Sequence, residues 1–508
     1  MATSWEQSAL LRLDQHVLQS LHRWKSDTLH AVSWNARVTS VHSSALAATL
    51  IGPRFASLPK NLAAAHGVES HHSRGKARQK MDERRVISNV LLPTHSYPVD
   101  VELSGGVVAR ISPAETSSET PRLLSSGFVD IQLNCALGVD FSSPQLTSAD
   151  VERVLRWLPS TGVTAVVATV ISSPASTYLK VVPVLRGLFR ASASNLQRPT
   201  ARLLGIHLEG PFLCAARRGA HDEAQLATPL SLAAVMARCA LLPSDLEDGF
   251  LRVITLAPEL PGALDVIADL RATRVLVAIG HTEADYALAS TAVDAGANLV
   301  THMFNAMPPL HHRAPGVVGL LGRPRASNVP FFSVIADGCH LHDATLCLAF
   351  RAAPHRAVLI TDAMAGLGLP PGCYNFVSGL SAGTPTTITV RAGGCEGEAY
   401  QRRHVVLDGS TTLAGAVAGM ETCVRALYDA TGREDAFAVL RAATGAPAAA
   451  LGLQSEGLGL CVVGAPADLV LLSADLQLVS VWVRGQLVDT ADADRIATEA
   501  VEAVRRTA

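Results

Sequence analysis

Eight short apolar runs recur between residues 127 and 363, each followed by a longer stretch of helical character: GFVDIQLN, VTAVVATV, LLGIHLEG, RVITLAPE, VLVAIGH, NLVTHMF, FFSVIAD and AVLITDA. Runs of this kind, bounded by polar or turn residues, read as strands buried on both faces, and buried strands alternating with helices imply a parallel sheet. Eight units predict an α/β fold with a closed (β/α)8 TIM-like barrel. A different pattern flanks the series. VISNVLL, DVELSGG and VVARIS precede it, and ADLVLLS, LQLVSVWVRG and QLV follow it. These short alternating segments predict a small β-sandwich domain built from both sides of the barrel. The expected division is the first part of that domain over 82–124, the barrel over 125–455, the second part over 456–495 and a C-terminal tail over 496–508.

Residues 1–81 stand apart. The first 80 hold ten Lys or Arg against four acids, and seven of the chain's 18 histidines, with no persistent strand or helix pattern. They read as a basic, disordered extension that ends near Met81. An organelle transit peptide is the functional alternative, but Glu6 and Asp14 fall where such a peptide carries no acids. For the chain as a whole, 48% hydrophobic residues argue for an ordered core. A net charge of −2 offers no basic footprint for nucleic acid. Nine cysteines, an odd number without a CxxC pair, fit reduced thiols in an intracellular protein. The chain has no apolar run of the roughly 18 residues that a membrane-spanning helix needs, and the expectation is a soluble, cytoplasmic protein.

The polar residues of the eight runs gather at one end of them. Gln132, Asn134, Glu209, His281, His302, Asp337 and Asp362 all fall at or just past the C-terminal end of a run, the end at which barrel enzymes carry their chemistry. Glu209, His281 and His302 offer one carboxylate and two imidazoles from three strands, a ligand set for a divalent metal that leaves a position open for water. Asp362, in LITDA, has the chemistry to take a proton from that water and return it to a leaving amine. Read singly, each residue has a structural alternative. A strand-end His often serves as a hydrogen-bonded structural residue, and Asp362 would make a good helix N-cap.

HLEGPFL (207–213) with RGAH (218–221), TLAPE (255–259), GHTEADY (280–286), THMFNAM (301–307), HHRAPG (311–316), IADGCH (335–340) and LITDA (359–363) occur in this order. Together they resemble the N-acetylglucosamine-6-phosphate deacetylases of the amidohydrolase superfamily, over about residues 85 to 490. The resemblance implies hydrolysis of the acetamide of N-acetyl-D-glucosamine 6-phosphate to D-glucosamine 6-phosphate and acetate, in amino sugar catabolism. It implies that Glu209, His281 and His302 hold the metal and that Asp362 donates and accepts the proton. Ala220, Asn305, Ala306, His340 and the segment Leu413, Ala414 and Gly415 match substrate-contacting positions, and His221 lies where it can polarise the acetyl carbonyl. Arg313 matches the residue that holds the sugar phosphate, often across a subunit boundary, which implies a homodimer.

Where many superfamily members carry His-x-His after the first strand, this chain has Gln132 and Asn134. That departure favours one metal ion per chain over a bridged pair. Zinc, iron, manganese and cobalt all suit a Glu-His-His set. Cys135, where the family usually has Gly, sits near the mouth and bears on metal loading. Two rival readings remain at this level. One is a relative acting on another N-acyl sugar phosphate. The other is a non-catalytic assembly or regulatory protein on the same barrel.

Overall fold

The computed structural model describes residues 84–507 except 116, 193–198, 325–327, 378–384, 393–402, 408–412 and 414. The extension expected over residues 1–81, and with it any targeting role, lies outside the described residues.

Each of the eight apolar runs forms a strand: β5 (Phe128–Leu133), β6 (Val163–Ile171), β7 (Arg202–Glu209), β8 (Leu251–Leu256), β9 (Leu276–Ile279), β10 (Leu299–Val300), β11 (Phe331–Ile335) and β12 (Ala357–Ile360). All seven consecutive neighbours pair in parallel. Seven of the eight carry only buried residues, and β7 has one exposed position, which accounts for their reading as nearly unbroken apolar runs. The sheet rolls up so that β12 returns to β5. At this seam the Asp362 N–H donates to the Gln132 carbonyl at 2.9 Å and the Asn134 N–H to the Ala363 carbonyl at 2.8 Å. The connections are helical, among them Ser148–Trp157, Ala175–Ser192, Ala263–Leu270, Tyr286–Ala295 and Asp343–Ala352. After β10, a strand of only two residues, the following element is a short 3-10 helix, Val317–Gly322.

The flanking β segments meet, as the pattern at the two ends predicts. Strands β1 (Arg85–Leu91), β2 (Val99–Ser104), β3 (Val107–Pro113) and β4 (Arg122–Ser126) join β16 (Leu469–Leu472), β17 (Leu478–Val483) and β18 (Gln486–Leu487) in one seven-stranded sheet, in the order β18-β17-β16-β4-β1-β2-β3. Strand β4 is the link between the two ends of the chain, antiparallel to β16 and parallel to β1. Its Leu124 is fully buried with Val90, Val101, Leu469 and Trp482.

Two elements were not anticipated. Between β12 and the helix Met420–Ala430 stands a separate antiparallel sheet of β13 (Gly372–Val377), β14 (Pro385–Ala392) and β15 (Arg403–Leu407). Residues 496–508, expected as a tail, instead belong through Thr507 to the helix Thr490–Thr507. Ala493, Ile496, Ala500 and Val504 are buried, a stripe at helical spacing, and Asp492 bonds Arg156 at 2.9 Å. Burial of that stripe is the physical reason the segment is ordered. No helix among the described residues is long and apolar enough to cross a membrane.

Truncating Leu124 tests the link between the chain ends. Leu124→Ala leaves a cavity beside β16 and β1 and is expected to cost about 2–5 kcal/mol. Urea unfolding should show a lower midpoint at an unchanged slope.

Candidate active site

A cavity of about 290 Å³ opens at the C-terminal ends of the barrel strands. Glu209 is the last residue of β7, while His281, His302 and Asp362 each lie two residues beyond the end of β9, β10 and β12. The last three adopt left-handed backbone conformations, with φ of 49°, 31° and 49°. Non-glycine residues hold such conformations only where the surrounding structure over-determines them, and they cluster at functional sites. Here the sharp turn at each strand end directs the side chain into the cavity.

The ligand atoms of Glu209, His281 and His302 lie within 4.8 Å of one another, and all three residues are buried. Glu209 Oε1 is 3.1 Å from His302 Nε2 and 3.4 Å from His281 Nε2. The Nδ1 of His281 is 2.8 Å from the Arg217 carbonyl. A carbonyl only accepts, so the ring proton sits on Nδ1 and the Nε2 lone pair faces the other two donors, the tautomer a metal ligand requires. The residues present therefore fit a divalent cation.

Amide donors organise the carboxylates. Gln132 Nε2 donates to Glu209 Oε1 at 2.8 Å and to Asp362 Oδ1 at 3.3 Å, and Asn134 Nδ2 donates to Asp362 Oδ1 at 2.8 Å. Burial raises the pKa of Glu209, but hydrogen bonds and charge from His281 and His302 outweigh it and hold the carboxyl well below its usual range. For Asp362, burial and then the Glu209 charge push the carboxyl up to about 7, against the pull of His302, His340 and the Asn134 bond. His221 is buried, with Nδ1 2.9 Å from Ser172 Oγ, and its ring packs edge-on to His281 at 4.8 Å. Burial and the neighbouring His281 lower it to about 3, so the imidazole is neutral at physiological pH. On the far wall, His340 Nδ1 bonds Asp337 Oδ2 at 2.8 Å; burial alone would lower the His340 pKa, but the Asp337 charge raises it.

The sequence profile of the Amidohydrolase family matches residues 123–488. The chain belongs to this family. Human N-acetylglucosamine-6-phosphate deacetylase is 38% identical over 383 residues, which cover 74% of this chain and 85% of the human one. The N-acetylgalactosamine-6-phosphate deacetylase of Escherichia coli O157:H7 is 32% identical, over 76% of this chain and 94% of its own. Among solved structures, the N-acetyl-D-glucosamine-6-phosphate deacetylase of Mycobacterium smegmatis, a point mutant in complex with N-acetyl-D-glucosamine 6-phosphate, aligns with a TM-score of 0.64 at 31% identity. That alignment covers 80% of this chain and 99% of the mycobacterial one.

Most residues expected at the site of this amidohydrolase line its cavity: Glu209, Ala220, His221, His281, His302, Asn305, Ala306, His340, Asp362, Leu413 and Gly415. Ala414 lies outside the described residues. Arg313 does not reach the cavity. It is exposed, its backbone N–H donates to His311 Nδ1 at 3.3 Å, and it makes no ion pair among the described residues. No Arg or Lys lines the cavity among the described residues. Cys135 is fully buried and is not a lining residue.

Sequence reasoning missed Asp140, Met364 and Ala365 in the lining; Met364 and Ala365 directly follow LITDA, so continuation of that motif was the available signal for them. It also missed His207, which is 1% exposed with Nε2 2.7 Å from Thr255 Oγ1, itself 2.7 Å from Thr301 Oγ1. The two-residue spacing from Glu209 was the available signal, since i and i+2 share a strand face. Gly280, just before His281, is tightly enclosed. A Cβ there would sit 2.9 Å from Thr301 Cβ and 3.1 Å from Thr255 Cγ2. Gly280→Ala is expected to destabilise the amidohydrolase by about 1–3 kcal/mol through overpacking, read as a lower urea midpoint.

Proposed function

We infer that this chain hydrolyses the acetamide of N-acetyl-D-glucosamine 6-phosphate, releasing acetate and D-glucosamine 6-phosphate. The observation that carries the reading is the convergence of Glu209, His281, His302 and Asp362 in one buried cavity, on a chain whose named relatives deacetylate amino sugar phosphates. Glu209, His281 and His302 would hold one divalent ion, whose chemistry when bound is Lewis acidity toward a carbonyl and toward water. A single ion accords with Gln132 and Asn134, because the N–H groups they turn toward the carboxylates are donors and cannot ligate.

The chain's own groups account for the proton movements. Asp362 Oδ1, placed by Gln132 and Asn134, takes a proton from the attacking water. The same carboxyl then delivers it to the departing 2-amino nitrogen. A group pushed up to about 7 suits both transfers, since it gains and loses a proton readily near neutrality. The neutral His221 imidazole is placed to steady the acetyl oxygen. Asn305, Ala306, His340, Leu413 and Gly415, all in the cavity lining, shape the sugar subsite.

A phosphate dianion needs a cationic partner, and the cavity lining supplies no Arg or Lys among the described residues. We assign that task to Arg313 of a second copy in a homodimer, since its guanidinium is exposed and makes no ion pair among the described residues. The planar fork of Arg is suited to paired hydrogen bonds with phosphate.

The deciding experiment is acetate release from N-acetylglucosamine 6-phosphate, its galacto and manno isomers and the unphosphorylated sugar. Preference for the galacto isomer would move the substrate assignment to the chemistry named for the Escherichia coli relative. Asp362→Asn should fold, retain one equivalent of metal by elemental analysis and lose about 10²- to 10⁴-fold in kcat. A loaded variant above about a tenth of wild-type kcat would exclude the proton-transfer role. Arg313→Ala should raise KM for the phosphorylated sugar roughly 10- to 150-fold. Its effect on the unphosphorylated sugar should be small, and an equal effect on both would remove Arg313 from the phosphate site.

A further inference from the structure

Asp362 keeps its left-handed backbone in the middle of a hydrogen-bonded clasp. The Thr361 hydroxyl donates to Asp130 Oδ2 at 2.5 Å and accepts the Ala363 N–H at 3.2 Å. Asp130 Oδ1 accepts the Thr361 N–H at 3.4 Å and the Gln132 N–H at 3.2 Å. One carboxylate on β5 thus holds the residue before Asp362 directly and the residue after it through a single hydroxyl. It also holds the residue whose side chain bonds both Glu209 and Asp362.

Neither Asp130 nor Thr361 lines the cavity, and each is 1% exposed. Enclosing a carboxylate this completely is unfavourable in itself. Its location is informative. The other seven neighbouring strand pairs of the barrel carry parallel ladders, whereas β12 and β5 are joined by isolated backbone bonds and this side-chain clasp. A φ of 49° at a residue with a side chain persists only when its flanks are held, and the clasp holds both flanks.

We propose that Asp130 and Thr361 are positioning residues that fix the turn at Asp362 and so aim its carboxylate at the reacting atoms. They touch no substrate and act through Asp362. The inference rests on the acid-base reading of Asp362 given above.

Thr361→Val removes the hydroxyl at nearly constant volume. The expected result is a fall in kcat of roughly 10- to 100-fold, since misplacement of a catalytic group by about 1 Å costs on that order. KM and metal content should stay within about twofold of wild type. Thr361→Ser returns the hydroxyl and should recover most of kcat. Asp130→Asn should lower kcat at constant KM, and the Asp130→Asn/Thr361→Val double variant should be no slower than the slower single one, because both substitutions break the same clasp. Wild-type kcat in folded Thr361→Val overturns the proposal, as does a Ser variant as slow as Val or a double variant showing the product of the two losses. If Thr361→Val does not fold, Asp130→Asn decides: a lower kcat at constant KM supports the clasp, and wild-type kcat overturns it. Asp362→Asn measured alongside separates the two claims. An active Asp362→Asn defeats the acid-base reading, whereas an inactive one beside a normal Thr361→Val defeats the clasp alone.

Discussion

Two carboxylates in one buried cavity repel each other, and the rest of the site depends on how that repulsion is resolved. Glu209 faces two imidazoles and stays ionised, while Asp362 is pushed up to about 7, by burial first and then by the Glu209 charge. The environment therefore separates one chemical type into two protonation behaviours, an anion that stays charged and a carboxyl raised toward neutrality, which is the difference the proposed roles require. Gln132 touches both through one amide nitrogen. Histidines at positions 132 and 134 would bring further ligands, whereas amides bring donors that steady anions.

The closed parallel barrel makes this geometry possible. It places the carboxyl ends of all its strands on one rim, so residues distant in sequence meet over a few ångströms. The left-handed turns at His281, His302 and Asp362 then bring the side chains inward immediately past the strand ends. Such turns store strain, and the bonds that hold them belong to the barrel wall as much as to the site. The Arg217 carbonyl that orients His281 comes from a different segment, the short turn Ala215–Arg217 after β7. Loop packing and the orientation of the His281 ring are therefore linked.

The barrel and the four central site residues were legible because both signals are strong. A strand buried on both faces leaves an apolar run, and a polar residue at its end contrasts sharply with that run. The weaker elements lacked contrast. The helix Thr490–Thr507 buries Ala493, Ile496, Ala500 and Val504, a stripe half made of alanine, whose small side chains barely stand out from the charged residues between them. In β14, PTTITVRA alternates Thr with Ile and Val, a fair strand signal, but it stands apart from the two flanking β groups and suggests no sheet to join. Arg313 illustrates a different limit. Its motif is plain in the sequence, yet one chain alone leaves it exposed and away from the cavity.

Strand β4 lies between β1, its near neighbour in sequence, and β16, which follows the entire barrel. A chain leaving the ribosome from its N-terminus would thus carry an open strand edge through the synthesis of every barrel unit, until Leu469–Leu472 emerged to cover it. Exposed edges invite pairing with other chains. During biosynthesis, the vulnerable interval of this protein is set by the length of the barrel, and the last strands made act as its closing seal.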